Sequence, residues 1–155
     1  MKKLLIKGRG INGGVAEGEA MVTGQAFGFS HGVETSTGRV TDSGHEWLGQ
    51  NIRGKVIVFP YGKGSVTGGL YILEAAKQGN TPAAVINLET DPVVAGGFIM
   101  ADLLYGKQIP VVHRPDRNPI GLIKNGDRVK VDGNKGTIEV YQQKRASNAR
   151  QGVNR

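Results

Sequence analysis

Three short apolar runs, each rich in β-branched residues and each separated by a helical pattern, constrain this chain most strongly. Lys55-Val56-Ile57-Val58-Phe59 stops at Pro60 and reads as a buried strand. Val66, Leu70, Leu73 and Ala76 then recur at helical spacing, with Glu74, Lys77 and Gln78 on other faces and Gly79-Asn80 as a stop. Ala83 to Leu88 is a second buried strand. Asp91 has the character of an N-cap with Pro92 at the first helical position, and a helix to about Leu104 stops at Gly106. That helix is apolar on most faces, so burial is expected, with close packing to justify the Gly96-Gly97 pair. Ile109 to Val112 is the third strand. Strand–helix–strand–helix–strand implies an α/β fold, a parallel βαβαβ core with right-handed crossovers.

β-structure flanks that core. Leu4 to Lys7, Val15 to Val22 and Ala26 to Phe29 read as short strands, with a glycine-dense loop at Gly8–Gly14. Residues 30–53 hold few apolar groups and many turn formers, which predicts a long surface excursion anchored by Trp47 and Leu48. Asp127 to Val131 and Thr137 to Tyr141, joined by Asp132-Gly133-Asn134-Lys135-Gly136, predict a C-terminal hairpin. One domain over residues 1–142 is expected, followed by a disordered basic tail at 143–155.

The net charge of +7 would suit a nucleic-acid partner, but its distribution does not. Eight basic residues lie at the two ends, while the other twelve face all thirteen acidic ones, so residues 10–143 sum to −1. A basic stripe on the folded body is the footprint of a nucleic-acid binder, so none is expected here. The chain has no cysteine, which excludes disulfides, zinc–thiolate sites and iron–sulfur clusters held by its own thiolates. The apolar start breaks at Lys7, too soon for a signal peptide, and no stretch could span a bilayer. A cytoplasmic location and no membrane partner are the expectations.

Chemistry concentrates at Pro60-Tyr61-Gly62-Lys63-Gly64-Ser65-Val66-Thr67-Gly68-Gly69, between a buried strand and a helix start. Helix starts present unpaired N–H groups and partial positive charge, an anion site to which Lys63, Ser65 and Thr67 add a charge and two hydroxyls. The spacing is not that of a Walker A loop. Gly-x-Ser-x-Gly fails at Thr67 and no histidine lies nearby, which argues against a serine hydrolase. The same loop reads equally as an ordinary glycine-rich turn with Ser65 capping the helix. His31, His45 and His113 lack metal-ligand spacing and read as structural. Asp42, His45 and Glu46 could orient a substrate or a partner, with a solvated loop as the blander reading, and Glu17 and Glu19 could be a carboxylate pair on one strand face, though such pairs are mostly just exposed. Gly8–Gly14 is either a second anion site or a plain turn with a bulge.

Gly8 to Ala20, Gly54 to Pro60 with Gly62-Lys63-Gly64-Ser65, and Gly126 to Asp132 together resemble the swivel-domain small subunit of the aconitase X family. His45, Gly49, Pro82-Ala83-Ala84, Asp91-Pro92, Leu104 to Lys107 and Ile109 to Val112 match as well, so the similarity runs in order over about residues 8–141. It implies a swivelling β/β/α domain, consistent with the core read above. It also implies a hydro-lyase subunit, inactive alone, and a large partner subunit carrying a [4Fe-4S] cluster whose iron acts as Lewis acid. In the archaeal branch that this chain most resembles, the substrate is a phosphorylated hydroxy acid, (R)-5-phosphomevalonate. Loss of water yields trans-anhydromevalonate 5-phosphate in the mevalonate pathway, while a sister branch dehydrates cis-3-hydroxy-L-proline. The family's serine base maps onto Ser65, and substrate binding onto Gly62, Lys63, Gly64, Thr67 and Gly68, with no metal ligand in this chain. Lys63 is open to two roles, stabilising the alkoxide or binding phosphate. A non-catalytic module for phosphorylated ligands is the alternative from a different class. Val66 stands where many relatives have a second serine, and Tyr61 fills a position that is often small.

Overall fold

Successive residues of the central strands serve two different cores. In the computed structural model, which describes residues 2–143, the chain runs β1 (Lys2–Lys7), β2 (Arg9–Asn12), β3 (Val15–Val22), β4 (Val33–Glu34), β5 (Arg39–Val40), β6 (Val56–Phe59), α1 (Gly68–Gln78) and β7 (Ala84–Asn87). It continues with α2 (Pro92–Tyr105), β8 (Val111–His113), α3 (Pro119–Leu122), β9 (Arg128–Asp132) and β10 (Thr137–Gln142). β6, β7 and β8 pair in parallel, as the alternating pattern predicts, and β3 joins β6 in parallel. Val56, Val58, Ala84, Ile86 and Val112 gather on one side with Ile6, Val129, Val131, Ile138 and Val140. Ile57, Phe59, Val85 and Val111 gather on the other with Phe27, Trp47, Ile72 and Phe98. With both faces covered, these strands read as unbroken apolar runs rather than as alternations.

The eight-stranded sheet has the order β1-β10-β9-β3-β6-β7-β8-β2. Its edge strands β1 and β2 are consecutive in sequence, joined through Gly8, so the sheet must curl until its edges approach. Backbone ties the turn between β9 and β10 into this corner. The Gly8 N–H donates to the Gly136 carbonyl and the Gly133 N–H to the Gly14 carbonyl, each at 2.8 Å. A Cβ on Gly10 would sit on the Gly133 carbonyl oxygen, so only glycine fits there. Gly8–Gly14 is therefore not a loop. Most of it is β2, antiparallel to β8 with a register shift between Gly10 and Asn12, which is nearer to the bulge than to the anion site.

Other expectations are corrected. Ala26–Phe29 makes no strand, only a bridge from Phe27 to Gly62. Residues 30–53 run mostly along the surface, as expected, with Trp47 as an anchor, but Val33 and Val40 of the β4–β5 ribbon and Ile52 are buried with it, while Leu48, the other expected anchor, stays exposed. α1 buries Gly68, Ile72, Ala75 and Ala76, leaving Val66 and Leu70 exposed. Small residues set that inner face because α2 comes close. A Cβ on Gly97 would lie 2.7 Å from Ile72 Cδ1, whereas Gly96 faces open space. α2 has the expected Asp91 cap and the Gly106 stop. It is not largely buried: Ile99, Met100, Leu103, Leu104 and Tyr105 are exposed, since one side only meets the sheet and α1.

The hairpin forms as β9–β10. Residues 144–155 of the expected tail lie outside the described residues. Gln143 does not: its backbone N–H donates to Asp127 and its side chain to the Gly126 carbonyl. No helix among the described residues is long and apolar enough to cross a membrane.

Candidate active site

Parallel strands deliver their exits to one edge, where open α/β sheets place ligands. β6 leads through Pro60–Thr67 to α1, and β7 through Leu88–Asp91 to α2. A cavity of about 420 Å³ lies between these two exits, walled by Phe27–Phe29, Gly62–Val66, Gly68 and Asp91–Val94.

Four of the expected binding residues and the expected base meet at this cavity. Gly62 is wedged against α2, where a Cβ would land on Asp91 Oδ2. Gly64 takes φ +93°, a conformation that favours glycine. Gly68 opens α1, with Val93 Cγ1 3.1 Å from where its Cβ would be. Ser65 is exposed on the wall, and its Oγ accepts the Thr67 N–H at 3.2 Å. Ser65 is not the N-cap of α1. That place belongs to Thr67, whose side chain makes no capping bond. Thr67 is also not on the cavity wall, because its hydroxyl is shared with Ser30 Oγ at 2.6 Å. Among the described residues, nothing accepts from the Gly69 N–H, so the first turn of α1 keeps donor capacity beside Ser65.

Lys63 reaches the same rim but is engaged: its ammonium lies 2.9 Å from Asp42 Oδ2. Lys63 and then the Gly44 N–H hold the Asp42 carboxyl below its ordinary value. The cluster read as solvated is only partly so, with Glu46 exposed, Asp42 half-buried and His45 buried. Glu46 accepts from the Thr23 hydroxyl, and His45 is buried with its Nδ1 accepting the Trp47 N–H at 3.0 Å. Glu17 and Glu19 are the exposed pair expected, bridged to Arg128 and Lys55.

Sequence reasoning missed two parts of the wall, the Phe27–Phe29 strap and the α2 start at Asp91–Val94. The second was within reach, since adjacent parallel strands put their exits side by side. The strap had no local signal. Its hold on the loop is two long-range bonds, Phe27 N–H to the Tyr61 carbonyl and Lys63 N–H to the Phe27 carbonyl, both 3.2 Å.

The sequence profile of the aconitase X swivel domain matches residues 5–140. The chain belongs to this family. The phosphomevalonate dehydratase small subunit of Methanococcoides burtonii is 44% identical over 140 residues, covering 90% of this chain and 98% of the relative. That of Pyrococcus furiosus is 41% identical over 138 residues, covering 89% and 96%. The crystal structure of Thermococcus kodakaraensis aconitase X in its holo-form superposes with a TM-score of 0.81 at 39% identity, covering 90% of this chain and 99% of that one. The solution structure of a UPF0107 protein gives 0.79 at 36% identity, covering 90% and 100%. The α/β swivel-domain fold expected from the resemblance is the fold observed.

In this swivel domain, burial holds the imidazoles of His45 and His113 below their ordinary value. Each therefore binds a proton more readily in the unfolded chain than in the folded one. The unfolded state thus binds more protons below about pH 6.5, so stability falls as pH drops through that value. Lowered carboxyls at Asp42, Glu89 and Glu139 add a second loss nearer pH 4. Thermal unfolding followed from pH 8 to pH 3.5 should show a plateau above pH 7 and two successive declines. A level melting temperature between pH 7 and pH 5 would contradict the histidine assignment.

Proposed function

We propose that this chain is the small subunit of a phosphomevalonate dehydratase, working with a larger subunit and supplying Ser65 as the base. The reading is carried by the end-to-end match to relatives of that name, and the placement of Ser65 supports it. The reaction removes water from (R)-5-phosphomevalonate to give trans-anhydromevalonate 5-phosphate. A C–H bond beside the carboxylate breaks, its electron pair forms the double bond, and hydroxide leaves the neighbouring carbon. The proton passes to Ser65 Oγ.

A serine oxygen does this only as an alkoxide, and its surroundings favour that charge. It already accepts the Thr67 N–H, and it sits where α1 begins, with the partial positive charge of the helix start. Preorganised donors of this kind contribute about 2.7–4 kcal/mol at the oxyanions of other enzymes. Lys63 shares its charge with Asp42, which weakens its pull on substrate phosphate or alkoxide, although its ammonium keeps further N–H donors for either. The family resemblance implies a [4Fe-4S] cluster. This chain has no cysteine, and no group of His, Asp and Glu among the described residues is placed to hold a metal. These residues do not fit the cluster, and in this reading it belongs to the larger subunit. A phosphate ester does not cross a bilayer unaided, so the reading includes a cytoplasmic location.

The test is co-purification with the larger subunit and NMR observation of (R)-5-phosphomevalonate. Water loss is expected from the pair and from neither chain alone. Turnover of cis-3-hydroxy-L-proline instead would move the chain to the sister branch. Phosphate-ligand binding by the isolated chain, with no turnover by the pair, would make it a binding module.

A further inference from the structure

Strand β8 ends on His113, a side chain that the chemistry above leaves unused. It is 8% exposed. Its Nδ1 accepts the Thr90 N–H at 2.9 Å, so Nδ1 carries no proton and the neutral ring keeps its hydrogen on Nε2. Thr90 in turn closes the β7–α2 turn. Its hydroxyl donates to Asn87 Oδ1 at 3.1 Å, and the Asn87 amide donates to the Phe59 carbonyl at 3.0 Å. The Glu89 N–H donates to the Pro60 carbonyl at 3.0 Å. Asp91, the next residue after Thr90, caps α2 with Oδ1 and turns Oδ2 against Gly62. His113 therefore stands at the root of a chain of contacts that ends on the loop carrying Ser65.

We propose that His113 is a positioning residue: its neutral ring fixes the β7–α2 turn against the serine loop, and its protonation loosens the site. A proton on Nδ1 would set N–H against the Thr90 N–H, turning an attraction into a repulsion. The charges around the ring pull both ways. Glu89 of the turn favours the cation, while Arg114, the next residue, and Arg9, opposite it on β2, disfavour it. Glu89 is held by Arg114 at 3.0 and 3.1 Å, which draws its charge away from the imidazole. Burial disfavours the cation most and lowers the pKa. The consequence for turnover rests on the dehydratase reading; the coupling of ring to loop does not.

The experiment is a pH titration of the isotope-labelled full-length chain by NMR, from pH 8 to pH 5. At neutral pH the ring nitrogens should report the Nε2–H tautomer. As His113 titrates, with a midpoint below about 6.5, the amides of Thr90, Asp91 and Gly62–Ser65 should shift with the same midpoint. His113→Asn offers a carbonyl oxygen that does not titrate near the place of Nδ1, so those shifts should vanish. His113→Leu removes the acceptor, and hydrogen exchange at Thr90 should speed up about five- to tenfold, as for one lost hydrogen bond. Amides of Gly62–Ser65 that hold still while the ring titrates would overturn the proposal, as would an Nδ1–H tautomer or unchanged exchange at Thr90. If His113→Leu does not fold, the wild-type titration and His113→Asn decide. Coupling without turnover by the assembled pair sinks only the dehydratase reading, and turnover without coupling sinks only this one.

Discussion

Replacing Ser65 by alanine is expected to lower kcat of the assembled enzyme by about a thousandfold, within the range by which positioned acids and bases accelerate proton transfer. Its effect on the fold should be small. Ser65 is exposed, and its hydroxyl accepts one backbone N–H, from Thr67, at the rim of the cavity. Without that oxygen the Thr67 N–H turns to water, at a cost of about 1 kcal/mol or less. Loss of rate should thus come with an unchanged affinity for the larger subunit and a melting temperature within a few degrees of the wild type. Saturating kinetics, co-purification and thermal unfolding of one preparation separate these quantities. A variant that keeps half the wild-type rate removes the serine from the chemistry. A variant that loses rate only by failing to assemble makes Ser65 a docking residue.

What the sequence made legible was what is written locally. β6, β7 and β8 are runs that need burial on both faces, and Asp91-Pro92 with Gly106 marks both ends of α2 without help from elsewhere. The Ser65 loop was legible because a glycine-rich strand exit before a helix is chemistry at short range. What stayed hidden depends on partners far along the chain. Glycine at position 10 looks like loop composition until the Gly133 carbonyl is seen in the space its side chain would need. Of the stripe expected on α1 only Ala76 is fully buried; the inner face misled because Gly68 and Ala75 carry little hydrophobic signal of their own while the exposed Leu70 does. Lys63 could be recognised as a cation at the site. Its bond to Asp42 could not, since the segment between them first has to fold back with its Trp47 and Ile52 buried.

Phe27→Ala is expected to cost about 3–5 kcal/mol, the range for deleting a buried aromatic ring. Phe27 is fully buried, and the rings of Phe29, His45, Trp47 and Phe59 surround it edge-on with centroids 5.2, 5.4, 5.1 and 5.6 Å away. These rings come from the strap, the 30–53 segment and β6, so one deletion opens a void among three elements that no single shift can close. In a domain of this size the loss corresponds to a fall in melting temperature of about 10 °C or more. The site should loosen as well. Phe27 holds both Tyr61 and Lys63 through its backbone, and Gly28 lies so near the Lys63 carbonyl that a Cβ would overlap it. A strap that has lost its anchoring ring lets the loop of Ser65 drift, so kcat should fall even well below the new melting temperature. Phe27→Leu keeps much of the volume and should recover most of both losses. Leu103→Ala, at a side chain 74% exposed on α2, should stay within about 0.5 kcal/mol of the wild type. Denaturant titrations of the three variants beside their kinetics test the argument, and Phe27→Ala within 1 kcal/mol of the wild type would show that the aromatic cluster does not anchor the site.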